Sequence, residues 1–462
     1  MKIIKGQLLE LNISGLAFGG KGLARIDGLV VFVDKAVPLD HVVARVNKKK
    51  KQYAEASVET LLKPSPFRIS PPCMYSGHCG GCKWQFLSYE KQLIYKRQHV
   101  VESIEHLGLM QDVLVHPTIP SPLTFGYRNK MEFSCSDRRW LLPEEMDLEG
   151  VDRSFALGLH VPGTYYKVLD IEACLLQPEL GNRIMDDVRN FMKASDAPVY
   201  GLKNHKGFWR FLMLRHSAAY DQWMVNLITS AENREIVQPL ADQLLDKYPQ
   251  IVSVVNNVTS RKAGVAIGEY EIPLAGHSCI KDKIGGYEFE ISASSFFQTN
   301  TTGAEHLYET VKRYAALSDR ETAVDLYCGT GAIAIYLAEY AKIFIGMEIA
   351  KGAVADAENN FRINRISNCH FILGDIKKNL SKIKVKPDVM IIDPPRAGMH
   401  KDVVKQVLLM LPGRIVYVSC NPASMARDLN MLKEKYKVLE VQPVDMFPHT
   451  YHIESVARLE KV

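Results

Sequence analysis

The last third of the chain alternates short apolar runs with longer segments of helical pattern. The apolar runs lie at residues 323–327, 343–347, 370–373, 389–392 and 415–418. Parallel strands need a crossover between them, and a helix is the usual crossover, so this rhythm predicts an α/β fold with a doubly wound parallel sheet. Asp393 directly follows the fourth run, and Cys420 lies just beyond the fifth. Because the carboxyl ends of such strands meet at one edge of the sheet, we expect this carboxylate and this thiol to share a site.

Length and charge narrow the class of protein. The chain has 462 residues, 47% of them hydrophobic, which is enough for two or three domains. It has no run of 18 apolar residues and its start lacks the apolar core of a signal peptide, so we expect a cytoplasmic protein without a membrane segment.

The net charge of +5 resides in residues 1–63, which hold 11 Lys and Arg against 6 Asp and Glu. The cluster from Lys48 to Lys51 alone is typical of a solvated hairpin tip, but a basic domain on a near-neutral chain favours nucleic acid as a partner.

The chain divides into three parts by pattern. Residues 1–63 contain five short strand candidates, which predict a small β-barrel of the oligonucleotide-binding type. A proline-rich stretch follows, and residues 64–290 are mixed and β-rich. Residues 291–462 hold the parallel sheet, and the helix expected over 88–108 is predicted to pack on that domain. The apolar face of this helix comprises Leu93, Val100, Val101, Ile104 and Leu107.

Nine cysteines without a secretion signal point to metal or catalytic roles before disulfides. Cys73, Cys79 and Cys82 lie in one glycine-containing loop, and Cys174 is the expected fourth member of the group. Four thiolates suit either a zinc ion or an iron–sulfur cluster, and the spacing does not distinguish them. The chemistry of the ligands alone slightly favours zinc.

A glycine-rich turn opens the parallel sheet. The sequence DLYCGTG at residues 325–331 follows the first strand, Glu348 ends the second, and Asp375 follows the third. Glycines let a ligand lie against the backbone, and an acid at the end of the second strand can accept both hydroxyls of a ribose. With Asp393-Pro-Pro after the fourth strand, this order resembles the class I S-adenosylmethionine methyltransferases.

A methyltransferase needs a nucleophilic cysteine only when the target carbon is a poor nucleophile, as carbon 5 of a pyrimidine is. A thiolate that adds to carbon 6 activates carbon 5, and a base then removes the carbon 5 proton. Cys420 is the candidate nucleophile and Glu454 is the candidate base. A lone cysteine is more often a buried small side chain, but the Asn-Pro after Cys420 and the Asp393-Pro-Pro-Arg396 stretch favour catalysis. DNA and protein amino-methyltransferases carry an aromatic residue where Arg396 stands, which argues against methylation of an amine.

Together, the motifs SCNPA, DPPRAG, DLYCGTG, FFQTN and MFPHTYHIE resemble the RNA uridine-5-methyltransferase family, in particular its branch acting on 23S ribosomal RNA. The resemblance covers nearly the whole chain. It implies that Cys420 is the nucleophile and Glu454 the base. It also implies an S-adenosylmethionine pocket formed by Gln298, Tyr327, Glu348, Asp375 and Asp393. The sequence leaves open whether Asp393 contacts the uracil, the donor or Cys420.

The resemblance further implies a TRAM barrel at residues 1–63 and a [4Fe–4S] cluster on Cys73, Cys79, Cys82 and Cys174, with zinc as the alternative. The expected product is 5-methyluridine, the partner is 23S ribosomal RNA with a uridine turned out of its stack, and no protein partner is required. We expect a monomer. The alternatives are a transfer-RNA uridine-5-methyltransferase, a cytosine methyltransferase, and a non-catalytic RNA-binding factor of ribosome assembly.

Overall fold

The computed structural model describes residues 3–262 and 264–462, and its first unit is an all-β sheet. Its strands are β1 (Leu8–Asn12), β2 (Gly15–Leu16), β3 (Gly22–Ile26), β4 (Leu29–Asp34), β5 (His41–Lys49) and β6 (Tyr53–Lys63). The strand order is β1-β5-β6-β4-β3-β2, and the sheet curls so that β1 also contacts β3. Small residues such as Ala44, Ala54 and Ala56 fill its interior. The all-β prediction is confirmed. Lys48 and Lys49 end β5, and Lys50 and Lys51 lie in the turn before β6.

Helix α1 (Tyr89–His106) follows the cysteine-containing loop and has an unusual buried face. Its buried residues are Gln92, Lys96, His99, Val100 and Ile104. The expected face is therefore rotated, because the first half of the helix buries polar side chains, and Leu107 is exposed. Strand β7 (Leu114–Val115) comes next.

The middle of the chain is built on a seven-stranded sheet of order β10-β9-β8-β11-β12-β13-β14. The strands are β8 (Lys130–Ser136), β9 (Ala156–His160), β10 (Val168–Asp170), β11 (Trp209–Ser217), β12 (Gln222–Thr229), β13 (Ile251–Val258) and β14 (Tyr270–Gly276). Two helices accompany it, α2 (Glu179–Ala194) and α3 (Arg234–Lys247). Neighbouring strands are antiparallel except for β12 and β13, so the expectation of a mixed, β-rich middle region is confirmed. A hairpin of β15 (Cys279–Ile284) and β16 (Tyr287–Ser292) follows.

The C-terminal sheet has the order β19-β18-β17-β20-β21-β23-β22-β7. Its strands are β17 (Thr322–Leu326), β18 (Ile343–Glu348), β19 (Cys369–Leu373), β20 (Val389–Ile392), β21 (Arg414–Ser419), β22 (Tyr436–Val444) and β23 (Glu454–Lys461). The helices are α4 (Thr301–Ala315), α5 (Ala332–Leu337), α6 (Lys351–Ile363), α7 (Ile376–Asn379), α8 (Lys401–Met410) and α9 (Pro422–Leu432). The five strands β17 to β21 are mutually parallel and β23 is antiparallel to β21, so the doubly wound sheet is confirmed.

The chain order reverses between β17 and β20, and this reversal leaves a crevice outside the carboxyl ends of the strands. Helix α1 packs on α9, where Val100 and Ile104 join the apolar core that contains Met425 and Leu429. Strand β7 extends the same sheet by pairing with β22. Of the helices in the described ranges, none has the length and apolar content to cross a membrane.

Candidate active site

A cavity of about 540 Å³ lies at the carboxyl ends of β17, β20 and β21. Five of the seven residues expected at the reaction centre and donor pocket line it: Gln298, Tyr327, Asp393, Cys420 and Glu454. The lining also includes Arg128, Phe296, Tyr308, Asp325, Arg396, Phe447 and His452. Residues far apart in sequence therefore meet around one space of a size that suits a small-molecule ligand.

The loops after β20 and β21 are joined by one side chain. Asn421 caps α9, since its side-chain Oδ1 accepts from Ala423 N at 3.1 Å, and Pro422 occupies the first turn, where its missing N–H has no cost. Its side-chain Nδ2 donates to the backbone carbonyl oxygen of Arg396 at 3.0 Å. Cys420 and the segment from Asp393 to Arg396 are consequently fixed relative to each other, which explains the Asn-Pro after the thiol.

The thiol of Cys420 lies among two carboxyl groups and one guanidinium. Burial, followed by the charges of Glu454 and Asp393, raises its pKa to about 11, while Arg396 opposes this by its charge and by a hydrogen bond. Arg396 Nη2 also donates to His452 Nδ1 at 2.7 Å. Burial and the charge of Arg396 lower the pKa of His452 to about 4, so the imidazole is neutral and can accept this bond.

Two buried carboxyl groups face the same space. Burial raises the pKa of Asp393 to about 6. Burial and the nearby charge of Asp393 raise the pKa of Glu454 well above its ordinary range, with Arg396 opposing the shift. A carboxylate in such a place binds a proton strongly, which is the property a general base needs.

The glycine-rich turn requires its glycines. Tyr327, Gly329 and Gly331 all have positive φ, at 64°, 55° and 74°. A Cβ on Gly331 would lie 2.9 Å from the ring of Phe361, whereas a Cβ on Gly329 would meet open space. The turn is thus packed on one side and open on the other, and a ligand can approach its backbone there.

Glu348 and Asp375 lie near the cavity but are not among its described lining residues. The Glu348 carboxylate accepts from Gly329 N at 3.1 Å and from the N–H groups of Ile349 and Ala350. Asp375 caps α7 by accepting from Lys377 N at 3.0 Å. Both acids end or follow strands as expected, yet each bonds its own loop backbone.

Asp325 and Phe296 are site residues that the sequence reasoning did not single out, although each lies inside a quoted motif. Neither carboxylate oxygen of Asp325 has a hydrogen-bond partner within the described residues, and the side chain is buried against the cavity. An unpaired buried carboxyl needs a donor, and a cationic or amino-bearing ligand supplies one. This orphaned group fits S-adenosylmethionine, which carries both an ammonium and a sulfonium. Phe296 is 64% exposed at the rim.

Asn129 and Asn300 hold the segment that carries Gln298. Asn129 Nδ2 donates to the carbonyl oxygen of Gln298 at 2.8 Å and to Thr301 Oγ1 at 2.7 Å. Asn300 caps α4 and donates to the carbonyl oxygen of Met446 at 3.0 Å. The FFQTN motif is therefore connected both to the middle sheet and to the segment that precedes β23.

The four expected cysteine ligands line a second, small cavity between the loop before α1 and the loop before α2. Gly81 N donates to Cys79 Sγ at 3.3 Å, and burial raises the pKa of Cys79 and Cys82 to about 12. The N–H groups of Tyr75 and Ser76 also lie at the Cys73 thiol. Within residues 3–262 and 264–462, no group of three or more His, Cys, Asp or Glu side chains is arranged to hold a metal ion.

The sheet order, the glycine-rich turn and the cavity at the strand ends define a class I S-adenosylmethionine-dependent methyltransferase. The family model for tRNA (uracil-5-)-methyltransferase matches residues 232–462, and that for the TRAM domain matches residues 4–58. The chain belongs to this RNA uracil-5-methyltransferase family, as the sequence motifs predicted.

Relatives over the full length agree. An uncharacterised RNA methyltransferase of Chlorobaculum tepidum is 42% identical over 468 residues, covering 99% of this chain and 97% of the relative. One of Bacteroides thetaiotaomicron is 39% identical over 453 residues, covering 96% of this chain and 100% of the relative. The crystal structure of Pyrococcus abyssi tRNA (uracil-54, C5)-methyltransferase in complex with S-adenosyl-L-homocysteine aligns with a TM-score of 0.76 at 28% identity, covering 98% of this chain and 100% of that one.

Proposed function

We propose that the protein methylates carbon 5 of a uridine in 23S ribosomal RNA, with Cys420 as the nucleophile and Glu454 as the general base. The observation that carries this proposal is that both side chains line one cavity with the glycine-rich turn. The thiol, the carboxyl group and the space for a methyl donor are all that a uracil C5 methylation requires from the protein.

The reaction follows from the chemistry of these side chains. Cys420 gives its proton to solvent water, and its thiolate adds to carbon 6 of the uracil, so that the electrons of the C5–C6 double bond move towards oxygen 4. Carbon 5 of the adduct then takes the methyl group that S-adenosylmethionine would supply, and S-adenosylhomocysteine is left. Glu454 then removes the proton from carbon 5, the C5–C6 double bond forms again, and the Cys420 thiolate is expelled. Arg396 stabilises the thiolate at the start and at the end, since it already contacts the thiol.

We propose that Gln298, Tyr327 and Asp393, which line the cavity, contact the donor, with the unpaired Asp325 as a further partner for its cationic groups. Glu348 contacts the donor from the edge of the cavity while it holds Gly329. We propose Asp375 as a further donor contact at the edge of the same pocket, since its charge reaches Tyr327.

We further propose a [4Fe–4S] cluster on Cys73, Cys79, Cys82 and Cys174. Four thiolates suit either one zinc ion or a cluster of several iron atoms, and the resemblance to the ribosomal-RNA branch favours the cluster. The four thiols line one cavity, and N–H groups lie at Cys79 and Cys73, where they would stabilise thiolates bound to iron. The cluster's part in this enzyme is to hold two loops together.

Protein purified without oxygen is expected to contain about four iron and four inorganic sulfide atoms per chain. The Cys82→Ser variant should lose most of both, because it removes one ligand. Cys279→Ser is the matched control, since Cys279 lies outside this cavity, and it should keep the full content. Iron, sulfide and zinc analysis of the three proteins tests the assignment, and stoichiometric zinc in place of iron would contradict it.

The division into residues 1–63, 64–290 and 291–462 supports a division of labour. We propose that the basic barrel grips RNA by its phosphates, that the middle domain carries the cluster, and that the last domain performs the chemistry. The cavity is at the base of a crevice, so the target uridine must turn out of its stack to reach Cys420. The enzyme acts as a monomer.

Transfer RNA is the second candidate substrate. The Pyrococcus abyssi tRNA (uracil-54, C5)-methyltransferase aligns with nearly the whole chain, so a barrel at the N-terminus does not by itself separate the two substrates. The motifs favour the ribosomal-RNA branch. A direct comparison of the two RNAs therefore carries the assignment.

The test is a trapping assay with RNA that contains 5-fluorouridine. Fluorine cannot leave carbon 5 as a proton does, so the enzyme should remain covalently joined to its substrate after methyl transfer. We expect an adduct on a denaturing gel with 23S ribosomal RNA and S-adenosylmethionine, and none with transfer RNA. An adduct with transfer RNA only would move the substrate to the second candidate, and no adduct with either would favour a binding factor without this chemistry.

A further inference from the structure

The segment of residues 445–453 connects β22 to β23 and forms one wall of the active-site cavity. It contributes Phe447 and His452 to the lining, and it leads directly into Glu454. The position of the base therefore depends on what holds this segment. Most of its side-chain contacts come from outside the catalytic sheet.

Lys96 of α1 holds the beginning of the segment. It is fully buried, as is its partner Asp445. Lys96 Nζ donates to Asp445 Oδ1 at 2.6 Å and to the carbonyl oxygen of Phe447 at 3.0 Å. Asp445 Oδ1 also accepts from Phe447 N at 2.9 Å, so the ion pair fixes the first turn of the segment.

Gln92, one turn earlier on α1, holds the middle of the segment. Its side-chain oxygen accepts from His449 N at 2.8 Å, and its side-chain nitrogen lies 3.2 Å from His449 Nδ1. The same nitrogen donates to the carbonyl oxygens of Trp84 and Leu87. Gln92 thus connects the segment to the cysteine-containing loop.

That loop also contacts the segment through its backbone. The N–H groups of Lys83 and Trp84, directly after Cys82, both donate to the carbonyl oxygen of His449 at 2.9 Å. His449 has φ of 65°, a left-handed conformation that is rare outside glycine, asparagine and aspartate and must be imposed by its surroundings.

The barrel completes these contacts. Trp84 Nε1 donates to the carbonyl oxygen of Gly20 at 3.2 Å. The ring of Phe18 meets the ring of Tyr451 edge-on, with 5.6 Å between centroids. The segment before the base is therefore enclosed by α1, the cysteine-containing loop and the barrel.

We propose that Lys96 and Gln92 are positioning residues that set Glu454 against carbon 5 of the bound uracil. This inference rests on the proposed role of Glu454 as the base. Folding alone does not require a buried ion pair here, because apolar side chains of similar volume stabilise a protein as well or better. A charged pair with directed hydrogen bonds instead fixes one backbone geometry for residues 445–453, and this geometry sets the position of Glu454. Removal of the carbon 5 proton by Glu454, rather than attack by the thiol, is therefore the step that depends most on this geometry.

The experiment separates the two steps in a single turnover. Incorporation of labelled methyl into 23S ribosomal RNA reports transfer, and release of tritium from [5-³H]uridine in the same RNA reports proton removal. In Lys96→Met, tritium release should slow about tenfold more than methyl incorporation, since small misplacements of a catalytic group have effects of this size or larger. The covalent adduct should accumulate accordingly.

Lys91→Met is the matched control, because Lys91 lies on the same helix over the ring of Phe67 and should behave as wild type. Gln92→Leu, with Gln98→Leu as its control, gives a second, uncharged test should loss of Lys96 impair folding. Equal slowing of both steps in Lys96→Met and Gln92→Leu would assign the pair to general stability and overturn the inference. Wild-type protein that neither transfers methyl nor releases tritium would instead reject the proposed function.

Discussion

Cys420→Ala is expected to abolish methylation of 23S ribosomal RNA, with a fall in single-turnover rate of at least about 10⁴-fold, as is typical when an enzyme loses its nucleophile. Of the two thiols in the described cavity lining, Cys328 is buried in the glycine-rich turn, so Cys420 is the thiol expected to activate the uracil C5–C6 bond. Affinity for RNA should change little, because the small thiol makes no phosphate contact. Methyl incorporation and a filter-binding measurement on the same preparation test both statements.

The control for this variant is Cys279→Ala, which removes a partly exposed thiol outside the cavity and should leave the rate unchanged. Cys420→Ala should also form no covalent complex with RNA that contains 5-fluorouridine, whereas Cys279→Ala should form it as the wild type does. Methylation retained by Cys420→Ala would remove the thiol from the reaction and require a mechanism without carbon 6 addition.

The resting site disfavours the thiolate, and this has a mechanistic consequence. With a pKa raised to about 11 by burial and by Glu454, the Cys420 thiol is protonated at neutral pH. A protonated thiol is less reactive towards oxidants and electrophiles than a thiolate. Arg396 is the group that can shift this balance when substrate enters, because its charge and hydrogen bond already oppose the raised pKa. His452 accepts a hydrogen bond from Arg396 and so helps to orient it.

The sequence predicted which side chains meet at one edge of the sheet, because strand ends are a local pattern with a fixed spatial result. Short apolar strands brought Asp393 and Cys420 to one edge of the sheet, and the family motif supplied Glu454. Acids after strands were a weaker guide. Glu348 and Asp375 bond loop N–H groups, a use that the residue type and spacing alone do not distinguish from ligand binding.

The buried face of helix α1 could not be predicted from the spacing of its apolar residues. That spacing predicted a purely apolar face, but the buried face of the helix includes Gln92 and Lys96. Polar side chains are usually buried only where they have hydrogen-bonding partners. The partners of Lys96 and Gln92 are Asp445 and His449, about 350 residues further along the chain. The sequence around the helix does not predict a contact with residues so far away.

Glu454→Gln is expected to separate methyl transfer from product release. Glutamine keeps the size of the side chain but cannot take the carbon 5 proton. The thiol can still add and carbon 5 can still accept the methyl group, so the reaction should stop at a methylated, covalent protein–RNA complex. Loss of a general base usually lowers the rate of the step that it catalyses by about 10²–10⁴-fold. We expect the rate of release of the methylated RNA to fall by this factor.

The measurement is a time course on unmodified 23S ribosomal RNA, with labelled methyl followed in the free RNA and in the covalent complex. Glu460→Gln is the matched control, because Glu460 lies on the same strand, pairs with Arg458 and is not part of the cavity lining. Rapid release of 5-methyluridine by Glu454→Gln would assign the base to another group. Asp393 would then be the first candidate, since it is the buried carboxyl group whose charge acts on both Cys420 and Glu454.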